Sequence, residues 1–392
     1  MRGVGTPSYK YDLPSSTLSF SRFPMNANSL LLITGLRHEL HAHPELSGQE
    51  IQTKRRLQAF LQTHTSLEIT DCGAWFHARK PGGSALPPIA FRADMDAVAI
   101  QDDPSLPYAS TVSGVAHKCG HDGHCAVLAG LALELDTVTT DRDVYCIFQH
   151  AEETGQGARE CAGLVTEKGI AEIYAFHNMS GQFPGCVGIR SGTMNCASQG
   201  VAFHFQGLPA HASLPETGKN PAFAVADLLR ALPGIAGTAN FSGQVWCTVI
   251  QVAVGSRNFG IAAGDGSLLL TCRGEQEADM LKLTATLENA ARQFAVRDGL
   301  DLTISLHDVF PETVNHPEAV DRVRAVCKRL GYPVHAMPEP MRSSEDMGHF
   351  LKATNGALFL IHTGDRPPIH TPEYDFDDCI LEQAVAMFKA LI

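Results

Sequence analysis

Between Ile89 and Phe176 the chain alternates strand-like apolar runs with helix-like ones, and this alternation constrains the fold more than any other feature. Ile89 to Asp94, Val144 to Phe148 and Glu172 to Phe176 read as strands, while the apolar stretch ending at Leu135 and the segment Gly157 to Lys168 read as intervening helices. Strands joined by helical crossovers pair in parallel, and such a sheet is covered on both faces. Open sheets of this kind bind ligands at the carboxyl ends of their strands. Asp94, Asp96, His150, Glu152, Glu153 and His177 all fall there.

The helix ending at Leu135 is preceded by His117-Lys118-Cys119-Gly120-His121-Asp122-Gly123-His124, with four side chains able to bind a transition metal. Two glycines let the backbone bend, so Cys119 and His121, two apart in an extended segment, can project to one side. Thiolate and imidazole suit zinc and its neighbours. A lone Cys or His is usually a core filler, but four together with two glycines are not. Glu152 and Glu153 follow a buried strand, where one carboxylate can bind metal while its neighbour handles protons. His177 and His370 each stand in a loop after a strand. Cys119, His121, Glu153, His177 and His370 make five ligands, one too many for a single tetrahedral zinc and suited to two metals about 3.5–4 Å apart.

Elsewhere the reading is coarser. Leu30, Ile33, Leu36 and Leu40 recur at helical spacing before Pro44, and Ser47-Gly48-Gln49-Glu50 reads as a capping box for a second helix to about Leu61. From Gly185 the texture changes to an α+β insertion, and the strand Leu302 to Leu306 is expected to return to the first domain. The resulting division is a tail at 1–26, a discontinuous catalytic unit at 27–184 and 303–392, and an insert at 185–302. Met25 is read as an alternative start. A chain of 392 residues favours two domains, and a formal net charge of −12 argues against nucleic-acid or membrane partners. Eleven scattered cysteines favour reduced thiols in a cytoplasmic protein.

Eight motifs resemble those of metallopeptidase family M20, in its subfamily of hippurate hydrolases, N-acyl-amino-acid amidohydrolases and auxin-conjugate hydrolases. They are Arg37 to Leu46, Arg92 to Ala97, the Cys119 to His124 run, Ala151-Glu152-Glu153, Phe176-His177-Asn178, Ala210-His211-Ala212-Ser213, Ser344-Glu345-Asp346 and His370-Thr371-Pro372-Glu373. The resemblance implies a mostly parallel α/β domain holding two divalent metal ions, with zinc fitting best and manganese, cobalt or nickel able to substitute. The insert becomes a ferredoxin-like lid and dimerisation domain, and the protein a homodimer. Cys119, His121, Glu153, His177 and His370 become the ligands, with Cys119 between the ions. Glu152 becomes the general base, and Asp96 and Asp122 orient ligands. His211 would stabilise the oxyanion in a partner subunit's site, while Asn258 and Arg273 would hold the substrate carboxylate. The usual Asn-Val-Ile-Pro pattern of the family is replaced here by Asn258-Phe259-Gly260-Ile261.

The implied reaction is hydrolysis of the amide bond of an N-acyl amino acid by a metal-activated water, with Glu152 as base. A dipeptidase or aminopeptidase of the same family is the alternative within the enzyme class. A non-hydrolytic metal-binding relative is a third reading, against which Glu152 and His211 together argue.

Overall fold

The computed structural model describes residues 25–392. Of the stretch expected to be a loose tail, all but Met25 and Asn26 lies outside the described residues. An eight-stranded sheet runs in the order Glu68–Asp71, Phe76–Lys80, Val144–Gln149, Ile89–Asp94, Glu172–Met179, Asn355–His362, Val187–Ile189, Val334–Ala336. Its centre is parallel, with Ile89–Asp94 flanked by Val144–Gln149 on one side and Glu172–Met179 on the other. The chain therefore reverses direction across the sheet at Ile89–Asp94, the switch point where a crevice opens beyond the strand ends.

Helices Ala27–Ala42, Ile51–His64, His121–Asp136, Pro317–Leu330 and Leu381–Leu391 contribute to the core on one face. Shorter helices at Gly157–Cys161, Gly163–Lys168 and Gly348–Leu351 contribute to the core on the other. The strand Ile89–Asp94 is buried at every position, as burial on both faces requires. Among the described residues no helix is long and apolar enough to cross a membrane.

A second, four-stranded antiparallel sheet runs Val245–Val254, Asp265–Gly274, Ala197–Gln206, Asp301–Phe310. With helices Ala222–Ile235 and Glu277–Asp298 it forms a strand-helix-strand-strand-helix-strand unit, the ferredoxin-like arrangement. In Asp265–Gly274 alternate residues Leu268, Leu270 and Cys272 are buried under the helices, and Thr271 and Arg273 face the other way.

Three expectations are corrected here. Leu302 to Leu306 does not return to the large sheet; it pairs with Ala197–Gln206 as an edge of the small one. Val187–Ile189, expected in the insert, belongs to the large sheet, where it pairs with Val334–Ala336 and Asn355–His362. The insert thus runs from Ala197 to Phe310 rather than over 185–302. The capping box is also absent: helix Ile51–His64 starts later, and Glu45 Oε2 accepts the backbone N–H of Gln52 and Thr53. Ser47 and Glu50 turn their side chains elsewhere, to Asp96 and to Ala151.

Candidate metal centre and active site

Gly120 sits before helix His121–Asp136 with φ +101°, and a Cβ there would lie 2.3 Å from Asn178 Oδ1 and 2.5 Å from the Tyr374 hydroxyl. Only glycine fits. The segment is therefore not extended as expected: the left-handed turn at Gly120, rather than strand alternation, brings Cys119 and His121 together. Cys119, His121 and His177 each present a ligand atom within 4.8 Å of the others, and so do Cys119, Glu153 and His370. The two groups meet at Cys119.

The histidine tautomers are set by their second nitrogens. His121 Nδ1 donates to the Asp96 carbonyl at 2.9 Å and lies 3.1 Å from Asp96 Oδ1, leaving Nε2 buried without a partner. His177 Nδ1 donates to the Asn178 carbonyl at 2.7 Å, and its Nε2 faces Cys119 Sγ at 3.4 Å. Burial and the neighbouring His124 push His177 down to about 3, so it is a neutral donor at pH 7. Glu153 Oε1 is buried without a hydrogen bond and lies 3.3 Å from His370 Nε2. Two orphaned buried donor atoms in a set of soft and borderline ligands fit a metal-binding role.

His370 approaches from the rim, half exposed, with φ +62° and its N–H bonded to the Lys118 carbonyl at 2.6 Å. His124, fourth in the motif, is occupied at both ring nitrogens, by Asp94 at 2.6 Å and Asn178 at 2.8 Å. His117 is fully buried, and burial lowers it to about 4, which leaves it neutral.

Glu152 is buried beside Glu345 and Asp346. Burial first, then the Glu345, Asp346 and Glu153 carboxylates, hold its carboxyl well above the usual range. Asp96 reaches two of the segments that carry candidate metal donors, accepting from His121 and, through Oδ2, from the Glu153 N–H at 2.9 Å. Asp122 does not: its Oδ2 takes His41 Nδ1 at 2.8 Å and Arg37 at 3.4 Å, tying the start of its helix to Ala27–Ala42 instead of orienting a ligand.

A cavity of about 480 Å³ lies between the two sheets. Cys119, Glu152, Glu153, His177 and His370 line one end, and Arg273, Thr271 and Ser198 of the small sheet line another part. Arg273 donates to the Arg342 carbonyl at 2.8 Å and has no carboxylate partner among the described residues. His211 and Asn258 do not line the cavity. They cluster on an exposed tip, where Ala210–His211 pairs with Ile261–Ala262 and Asn258 Oδ1 accepts the Gly260 N–H.

Sequence reasoning missed several contributors. Glu50, buried at the head of Ile51–His64, accepts the Ala151 N–H at 2.7 Å; Ala151 has φ +48° and directly precedes Glu152. Asp346 accepts from Arg92, from the Gln149 amide and from the Ala158 N–H, and its own N–H faces Glu152 Oε1 at 3.4 Å. The signal for Glu50 was misread as a local cap, and Glu345-Asp346 stood in a quoted motif without a role.

Residues 90–392 match the family model described as Peptidase family M20/M25/M40. An N-acetylcysteine deacetylase of Bacillus subtilis (strain 168) is 26% identical over 92% of this chain and 95% of the relative. A hippurate hydrolase of Campylobacter jejuni is 27% identical over 91% of this chain and 94% of its own. A crystal structure of a Bacillus subtilis dinuclear metal binding peptidase from the M20 family shares the fold, with a TM-score of 0.79 at 24% identity over 93% of this chain and 98% of that one.

Proposed function

We propose that this chain, which belongs to peptidase family M20/M25/M40 and is a metal-dependent amidohydrolase, cleaves the amide bond of N-acyl amino acids. The carrying observation is one cavity that combines the Glu152–Glu153 pair and its metal-donor groups with an Arg273 lacking a carboxylate partner. Met179, Met341, Leu358, Leu360 and Ile369 add an apolar wall suited to an acyl group.

Cys119, His121, Glu153, His177 and His370 would hold two divalent ions, zinc by donor chemistry, with Cys119 common to both donor groups. Bound ions supply Lewis acidity towards water and the scissile carbonyl. Glu152 takes the proton from the attacking water and returns it to the leaving nitrogen. Arg273 positions the substrate by its carboxylate, which a guanidinium can bind through two parallel hydrogen bonds. Asp96 holds His121 in the tautomer whose Nε2 is free.

The protein is read as a cytoplasmic homodimer, its eleven cysteines being free thiols. Two features support pairing. His211 stands on an exposed tip off the cavity, and the edge strand Val245–Val254 exposes Val249, Ile250 and Val252. His211 then serves the partner's site, where it donates to the developing oxyanion, with Asn258 beside it at the substrate carboxylate.

The test is a hydrolysis screen of N-acetyl, N-benzoyl and longer N-acyl amino acids beside dipeptides, run on wild type and Glu152→Gln. Wild type should turn over acyl amino acids, and the variant should keep its metal and lose roughly 10²–10⁴-fold in rate. Turnover of dipeptides alone would move the reading to a dipeptidase. A metal ion missing from the variant would make Glu152 a ligand.

A further inference from the structure

Of the eleven cysteines, Cys247 and Cys272 alone face each other across a strand ladder among the described residues. Cys247 lies on the edge strand Val245–Val254 and Cys272 on its inner neighbour Asp265–Gly274, in direct register. The register is regular from Val245 opposite Gly274 to Val249 opposite Leu270, and the irregularity comes only after that. Opposed residues of an antiparallel pair point to the same face. Both belong to the helix-covered side, Cys272 inside the core and Cys247 packed against it.

Directly opposed residues in an antiparallel ladder have Cα atoms about 4.5 or 5.5 Å apart, depending on the type of pair. Both separations fall inside the roughly 4.4–6.8 Å window of disulfides. The Cα spacing of the ladder therefore suits the bond, and what is left is thiol rotation and a small approach of the Cβ atoms, from about 4.5–5.5 Å in opposed pairs to about 3.5–4.5 Å. We infer that Cys247 and Cys272 form a covalent modification site, closing to a cross-strand disulfide by exchange with an oxidised low-molecular-weight disulfide of the glutathione class.

Exposure sets the order of events. Cys272 is sealed, whereas Cys247 is only partly buried. The neighbouring Cys272 thiol lowers the pKa of Cys247 while burial opposes it, favouring Cys247 as the attacking thiolate. Cys247 sulfur attacks the small disulfide, forms a mixed disulfide and expels one thiolate. That thiolate takes up a proton. Cys272 then loses its proton, attacks the Cys247 sulfur and expels the second thiolate, which is protonated in turn. Two protein thiols are oxidised by two electrons, and one small disulfide is reduced to two thiols. The bond would pin the edge strand to its neighbour one residue from Arg273. This inference does not depend on the proposed substrate.

The experiment treats the full-length protein with oxidised glutathione, blocks free thiols with iodoacetamide and maps the digest by mass spectrometry. The expected product is a Cys247–Cys272 linked peptide that dithiothreitol reverses, with the mass of two hydrogens lost. C272S should stop at a glutathione adduct on Cys247, and C247S should leave Cys272 unmodified. Wild-type protein in which both thiols alkylate after oxidation, or in which Cys247 stops at the glutathione adduct, overturns the inference. The wild-type map decides even where a serine variant fails to fold.

Discussion

Asp96→Asn tests the idea that one carboxylate organises two ligands. Oδ2 accepts the Ser47 hydroxyl at 2.7 Å and the Glu153 N–H at 2.9 Å, while Oδ1 faces His121 Nδ1 at 3.1 Å. Asparagine has a single acceptor oxygen. Two donors wait on the Oδ2 side, so the amide oxygen settles there and the NH₂ group turns to His121, donor against donor. His121 keeps only the Asp96 carbonyl at 2.9 Å. Losing a hydrogen bond to a charged group costs about 1.5–3 kcal/mol. At about 1.4 kcal/mol per factor of ten, zinc affinity should fall roughly 10- to 150-fold. The assay is chelator-competition titration of metal-stripped protein with zinc, beside circular dichroism to confirm the fold. A folded variant whose affinity stays within about threefold of wild type would refute the reasoning, since the larger loss follows directly from the donor count.

Three further outcomes are expected. Glu152→Gln and His211→Ala, each nearly inactive, should regain activity when mixed under subunit exchange; exchange confirmed by mass without recovery places His211 outside the partner's site, the lost donor being worth roughly 2.7–4 kcal/mol. Glu50→Ala leaves the Ala151 N–H bare beside the base, so kcat should drop about tenfold with metal content unchanged and Glu50→Gln should restore it; an unaltered kcat in Glu50→Ala would count against this positioning. His41 lies between Asp122 at 2.8 Å and Asp102 at 3.2 Å; burial lowers its pKa, but those carboxylates outweigh burial and raise it from 6.5 to about 9. A raised histidine contributes its full stability below about pH 6.5 and loses it as pH climbs through about 9. The melting midpoint should therefore fall across that window in wild type, and a His41→Gln variant with an equally steep fall would exclude His41 as the cause.

Local chemistry made much of this protein legible in the sequence. Strand-helix alternation implies a parallel sheet, and polar residues after buried strands mark its carboxyl edge, because both follow from periodicity and crossover geometry within a few dozen residues. Gly120, between Cys119 and His121, announces a sharp turn before a helix. Tertiary structure decided what periodicity leaves undetermined. An alternating run such as Asp301–Phe310 states which face is buried but not which sheet it joins, and the small sheet claims it through Ala197–Gln206. His124 differs from His121 only in its partners, Asp94 and Asn178, which occupy both ring nitrogens. Glu50 reads locally as a cap, yet its carboxylate crosses 101 residues to hold the backbone ahead of Glu152. Asp96 and Asp122 look alike in the chain, and only the first reaches His121 and Glu153. Residue type and spacing set which chemistry is possible; the long-range hydrogen bonds of the folded chain decide which lone pairs remain free to perform it.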